Sequence, residues 1–309
     1  AWGARQADNG FFALSLLSRR SLGITVANAL VNHHESGLVV YHLIGMLRLA
    51  AATVRHEAHT TEALAELWCA HPRQDVPGGE TTSKLELLQI LAATARTNRV
   101  ISSKPPLVVH AEASRLLCVL AEWYTLVPRL AEYGCSRPVA DLAVLTPSPS
   151  LELEAVKALW RMLSYSDETM VATYTRAPLH VVRGLVAVIA KTYSRNREVV
   201  VKDGLAASHE AVFLACKSML ALLDAARFPA VSSTGRPVPH PLDAIVDSEA
   251  IKVLHAVRLI EAFEGMPEIV HLLDALENTP QGRAYRTRVE AEQAAARAAL
   301  ARLAMREPS

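Results

Sequence analysis

The 309-residue chain is 51% hydrophobic but only 5% aromatic, and its 32 Lys and Arg against 31 Asp and Glu leave a net charge of +1. A profile rich in Leu, Ala and Val and poor in aromatic residues argues against a β-sandwich or barrel and for helices. Balanced charge with no long basic run argues against a nucleic-acid partner.

The four cysteines (Cys69, Cys118, Cys135 and Cys216) are widely spaced with no CxxC pair, which fits buried free thiols in a reducing compartment. The longest apolar run, Leu38 to Val54, is broken by His42 and Arg48 and is too short for a comfortable membrane span. No transmembrane segment or signal peptide is expected. The start, Ala1-Trp2-Gly3, carries no methionine and lies in apolar sequence, so the chain reads as a piece of a longer protein.

Residues 1 to 107 read as an irregular helical region. Leu14, Leu16, Leu17, Val26, Leu30 and Val31 are core candidates, punctuated by Asn9-Gly10 and Gly23. Helices are expected from Leu38 to Arg55 and from about Thr60 to Cys69, the second stopping at His71-Pro72. Asp75 to Glu80 is a loop. Thr82 or Ser83 then caps a helix through Ala95 that buries Leu85, Leu88, Leu91 and Ala92. Ser102 to Pro106 is a further break.

From Val108 the pattern becomes periodic. Ala113, Leu116, Leu117 and Leu120 form a stripe, Leu126 to Tyr133 a short middle piece, and Gly134 a turn before an inner helix opened by Pro138. The linker Thr146 to Ser150 follows, with Ser150 as the expected cap of the next helix. The next stretch, Leu151 to Ile189, repeats the plan. It has a helix from Glu152 to Leu163, a short helix from Asp167 to Tyr174, and an almost wholly apolar helix after Pro178.

Two longer helices with a short one between them, about forty residues in all, is the plan of an armadillo or HEAT-type repeat, which is stable only when stacked. The fold class is therefore all-α, a right-handed armadillo/HEAT-like helical solenoid with a long C-terminal helix. The repeats span residues 108–283.

After Ile189 comes Ser194 to Asp203, then Gly204 and an apolar helix from Ala211 to Leu223. The proline-rich stretch 228–241 reads as a surface insertion without a fold of its own. The repeat resumes at Asp247, with Ala250, Val253, Leu254 and Val257 as one stripe and Ile269, Val270, Leu272 and Leu273 in the last inner helix. That gives four units between Val108 and Leu276. Leu185 and Leu254 are expected to be fully buried. Residues 284–309 form one long Ala/Arg/Glu helix, expected to lie on the last repeat as a cap, with Val289, Gln293, Ala296, Leu300 and Leu303 as a weak seam.

Residues with chemical potential are few. His56-Glu57-Ala58-His59 lacks the HExxH spacing and a third ligand, and His33-His34-Glu35 reads as a polar turn. Gly78-Gly79 is a turn, and there is neither a GxSxG elbow nor a glycine-rich phosphate loop. Cys118 and Cys216 sit in apolar stripes and read as core residues. Trp123 and Trp160, near equivalent positions of two units, are read as packing between repeats, and Glu152 and Glu154 as solvated outer-face charges. No catalytic, cofactor-binding or metal residue is assigned and no cofactor is expected. The use of such a surface is protein binding.

The last third carries a family resemblance. Arg195-Asn196-Arg197-Glu198-Val199-Val200-Val201-Lys202-Asp203-Gly204-Leu205 leads to Leu220-Ala221-Leu222-Leu223-Asp224. After the insertion come Ala250-Ile251-Lys252-Val253-Leu254-His255-Ala256-Val257, Glu268-Ile269-Val270-His271-Leu272-Leu273-Asp274-Ala275, and Ala284-Tyr285-Arg286. This order resembles the C-terminal armadillo-like region of the large endosomal J-domain proteins of receptor-mediated endocytosis (the DnaJ homolog subfamily C member thirteen type), over residues 108 to 288. In that family an aromatic residue near the end precedes a Lys-Asp-Gln-Lys-His-Asp-Leu-Phe type string, which only Tyr285-Arg286 and Arg288 echo here.

The resemblance implies a cytoplasmic scaffold, peripheral on endosomes, that acts in endosomal protein trafficking. Its partners would be endosomal sorting or coat proteins, with Hsp70 engaged through a J domain outside this chain. Neither His71-Pro72-Arg73 nor His240-Pro241-Leu242 matches the His-Pro-Asp motif of a J domain. The alternative is a structural armadillo-like subunit of a large ciliary or mitochondrial assembly.

Overall fold

The computed structural model describes residues 20–54, 68–69, 86–103, 107–197, 202–223, 228–232 and 235–304. Within them the chain is all-α. Fourteen helices are present: α1 (Arg20–Asn32), α2 (Gly37–Val54), α3 (Leu87–Arg96), α4 (Val109–Leu120), α5 (Val127–Glu132), α6 (Ser136–Leu145), α7 (Pro149–Ser164), α8 (Asp167–Arg176), α9 (Pro178–Arg197), α10 (Lys202–Leu223), α11 (Pro241–Asp247), α12 (Ala250–Arg258), α13 (Pro267–Glu277) and α14 (Pro280–Ala304). The one described sheet is a two-residue antiparallel ladder, Val100–Ile101 against Leu107–Val108, which closes the break before α4.

Local chemistry sets the helix ends. Prolines stand in the first turns of α7, α9, α11, α13 and α14, where their missing N–H leaves no bond unmade. Ser166 caps α8 by accepting from the Thr169 N–H at 3.2 Å, with Asp167 and Glu168 facing the helix dipole. The cap of α3 is Glu86, not Thr82 or Ser83. Its carboxylate and the Gln89 amide form a reciprocal capping box. The cap of α7 lies at Ser148, two residues before Ser150.

The helices stack in rows. One row runs α4, α7, α10, α13, and beside it runs α3, α6, α9, α12. The short α5 and α8 pack on each other. Each helix of these two rows therefore meets its counterpart three helices later, which is the register of a helical solenoid. Leu185 in α9 and Leu254 in α12 are both fully buried, as expected.

The units differ from the expected four. The rows group the helices into three triads, α4–α6, α7–α9 and α10–α12, followed by α13 and α14. The third triad begins at Lys202, so Gly204 lies inside α10 and is not a break. The insertion falls in the middle of that triad. It is also structured. Val231 bridges Pro237, and the Val238 N–H donates to the Ala230 carbonyl at 2.9 Å. The Phe228 ring meets the buried Tyr174 ring edge-on at 4.9 Å, and the Tyr174 hydroxyl donates to the Pro239 carbonyl at 2.7 Å. The expectation of an insertion without its own fold is overturned, because two anchors at its ends seat it on α8.

The C-terminal helix also departs from expectation. Among its described side chains only those of the first turns dock. Gln281 donates to Asp243 at 2.9 Å, Arg286 pairs with Glu277, and Tyr285 is half-buried. Beyond Val289 its described side chains are exposed. Of the seam residues, the side chains of Ala296, Leu300 and Leu303 lie outside the described residues. Among the described residues no helix is long and apolar enough to cross a membrane.

Candidate anion-binding groove

Three hollows run side by side across the junctions of α3, the first two triads and the insertion hairpin. The middle one, 570 Å³ in volume, is lined by Arg96, Arg137, Arg176 and Arg236. Each arginine comes from a different element. Arg96 ends α3, Arg137 is the second residue of α6, Arg176 ends α8, and Arg236 lies in the hairpin. Arg96 and Arg176 each suit a helix C-terminus, whose partial negative charge favours a cation. Stacking the units is what brings all four to one hollow.

The floor explains why they can approach. Gly134 adopts φ +70° after α5, and a Cβ there would lie 3.7 Å from the Arg96 Nη1 and 3.9 Å from the Arg176 Cβ. A residue without a side chain holds this left-handed turn freely and leaves the space between the two arginines open. Tyr133, Thr175, Ser232 and Pro178, the first residue of α9, complete the wall, and no carboxylate lines it.

The charges around the rim are mostly committed elsewhere. Arg129 forks onto both Glu86 oxygens at 2.9 and 3.0 Å, and the Tyr133 hydroxyl donates to the same carboxylate at 2.8 Å. Burial first, and then that carboxylate, push the Tyr133 phenol up to about 12. Asp141 sits 2.8 Å from the His180 Nδ1 and 3.9 Å from the Arg137 Nε. Among the described residues the guanidiniums of Arg176 and Arg236 meet no acid.

The flanking hollows differ in character. One shares Arg96 and Arg137 and continues over Val108, Leu142, Leu145 and Leu151 in 580 Å³. The other shares Thr175, Arg176 and Ser232 and continues over Asp167, Glu168 and Val171. The trough thus passes from apolar through basic to acidic.

The residues singled out in the sequence lie elsewhere. His56-Glu57-Ala58-His59 and Gly78-Gly79 fall outside the described residues. His33-His34-Glu35 is a turn, as expected, held by the Arg99 guanidinium donating to the His34 and Glu35 carbonyls. His240 caps α11, accepting from the Leu242 N–H at 3.3 Å. Cys118 and Cys216 are buried in α4 and α10. Burial raises the Cys118 thiol and pushes Cys216 up to about 12, so neither ionises near neutral pH.

Two readings need correction. Trp123 lies in the turn after α4 and packs on Trp68 at 6.1 Å, whereas Trp160 lies inside α7, so their positions are not equivalent. Tyr124 and Tyr165, stacked at 6.4 Å, are an aromatic pair that joins the first two units. Glu154 is exposed, but Glu152 is 1% exposed. Arg195 grips both Glu152 oxygens at 2.7 Å and Lys191 stands 3.1 Å away. Buried carboxylates need such partners. Glu112, the fourth residue of α4 as Glu152 is of α7, is buried in the same way, with Arg48 at 2.5 Å.

No family model matches the sequence, and no curated protein matches it. Among solved structures, an engineered protein determined by the Northeast Structural Genomics Consortium aligns over 82% of this chain and 96% of its own, at 13% identity and a TM-score of 0.39. A similarity at that level names neither a relative nor an activity.

Proposed function

We propose that this chain is a non-catalytic scaffold that binds other proteins through the surface of its stacked helices. The observation that carries the reading is the trough across α3, α6, α8 and the hairpin, which is open, long and chemically graded. Such a hollow, assembled from successive units, suits an extended segment better than a small substrate. The family resemblance adds a setting, a segment of an endosomal co-chaperone acting in protein trafficking.

The chain immobilised on a resin and exposed to cell lysate should retain a reproducible set of proteins without ATP. Enrichment of endosomal sorting or coat proteins supports the setting. Retention of a fixed ciliary or respiratory complex replaces it with the structural-subunit reading. Reproducible turnover of a small substrate, or stimulation of Hsp70 by this chain, would overturn the non-catalytic scaffold.

A further inference from the structure

We infer that the four-arginine hollow receives a phosphorylated side chain carried on an extended segment of a partner protein. The inference rests on the scaffold reading and names the chemistry of what is bound.

Arg96, Arg137, Arg176 and Arg236 line one hollow with no carboxylate among its lining residues, and the nearest acid with any claim on them, Asp141, is shared with His180 at 2.8 Å. A carboxylate side chain would bring one negative charge to four positive ones. A phosphomonoester brings about −1.5 to −2 and three acceptor oxygens. Guanidinium forks match those oxygens pairwise, which is why arginine clusters recognise phosphate so often. The Tyr133 hydroxyl is already committed to Glu86 and the Thr175 hydroxyl donates to the Val171 carbonyl at 2.7 Å, so the four guanidiniums are the donors that meet such an anion.

The surroundings then select the carrier. The hollow shares Arg96 and Arg137 with the apolar compartment over Leu142 and Leu145, and Leu145 is 70% exposed. A peptide can place a phosphate among the arginines and an apolar side chain one compartment away. Free phosphate has no use for the second compartment. A membrane carrying phosphorylated lipids would have to approach past Asp167 and Glu168, which line the compartment on the other side of Arg176. A nucleic-acid strand would meet the same two carboxylates.

The test uses the whole chain and an immobilised array of phosphoserine and phosphothreonine peptides of varied flanking sequence, beside matched unphosphorylated copies. Phosphorylated members should be retained about tenfold or more over their unphosphorylated counterparts, with binding weakened by salt. The double variant R176A/R236A should lose that preference and keep the helical spectrum and melting temperature of the parent, because neither guanidinium pairs with an acid among the described residues. A control variant, R258A in α12, should bind as the parent does.

Equal retention of unphosphorylated peptides, or a phosphate preference unchanged in R176A/R236A, would overturn the assignment. So would binding confined to inorganic phosphate or to vesicles containing phosphoinositides. A parent chain that captures proteins from lysate but shows no preference for phosphorylated peptides would refute this inference and leave the scaffold standing. Failure of both would refute the scaffold as well.

Discussion

Gly184 in α9 tests how tightly the second row of helices is packed. A Cβ built on it would lie 3.0 Å from the Ala140 Cβ, 3.1 Å from its Cα and 3.2 Å from its carbonyl oxygen in α6. Carbon atoms at rest sit about 3.5–4.0 Å apart. Two effects oppose each other in G184A. Replacing glycine by alanine inside a helix stabilises by about 1 kcal/mol. Forcing an extra methyl into a filled contact costs about 1–3 kcal/mol. Two of the three atoms met are backbone, which cannot swing aside without shifting α6 itself. The steric cost should win, for a net loss of about 1 kcal/mol.

The partner variant A140G removes one of the three contacts at a helix-propensity cost of its own. Combined, the two should be less damaging than their sum by at least about 0.5 kcal/mol, the least expected of residues in contact. Urea unfolding followed by far-ultraviolet circular dichroism reads all four corners of the cycle. A G184A chain more stable than the parent, or strictly additive effects, would refute the close contact.

Leu254 is fully buried in α12, so L254A should cost about 2–5 kcal/mol. Hydrogen exchange should loosen mainly in α12 and the helices packed on it, α9 and α13, and a uniform loosening along the chain would contradict the row-by-row stacking. Y174F removes the 2.7 Å hydrogen bond to the Pro239 carbonyl and should cost about 1 kcal/mol, with increased proteolysis within 228–240. An unchanged hairpin would mean that this bond is not an anchor.

Helix positions were largely legible in the sequence because two strong signals coincide. Apolar stripes recur at helical spacing, and prolines such as Pro178 mark helix starts. Helix lengths were less legible. The helix opened by Pro178 runs on to Arg197, through Lys191 and Arg195, which a hydropathy pattern takes for solvent-facing residues. Their reason for being there is Glu152, forty residues back along the chain and buried beneath them. Only tertiary geometry pairs those charges, so a periodicity argument places Glu152 outside.

The insertion misled for a related reason. Prolines and small polar residues say loop, and nothing local says that Phe228 and Pro239 will find Tyr174. The arginine hollow left one faint trace. Arg96, Arg137 and Arg176 recur at nearly the spacing of the units, yet the chain's even charge balance hides any local concentration that stacking creates. Arg236 joins them from the insertion with no trace at all.

The seating of the hairpin on Tyr174 also bears on how the chain would answer a pulling force. A solenoid whose units touch only their neighbours should extend in steps, surrendering one unit at a time from an end. Here the second and third triads are tied not only through α7 against α10 and α9 against α12 but also by a stitch from α8 to the loop in the middle of the next unit. Those two triads should let go together, as one longer step, and α14, whose described contacts lie in its first turns, should peel away before any of them.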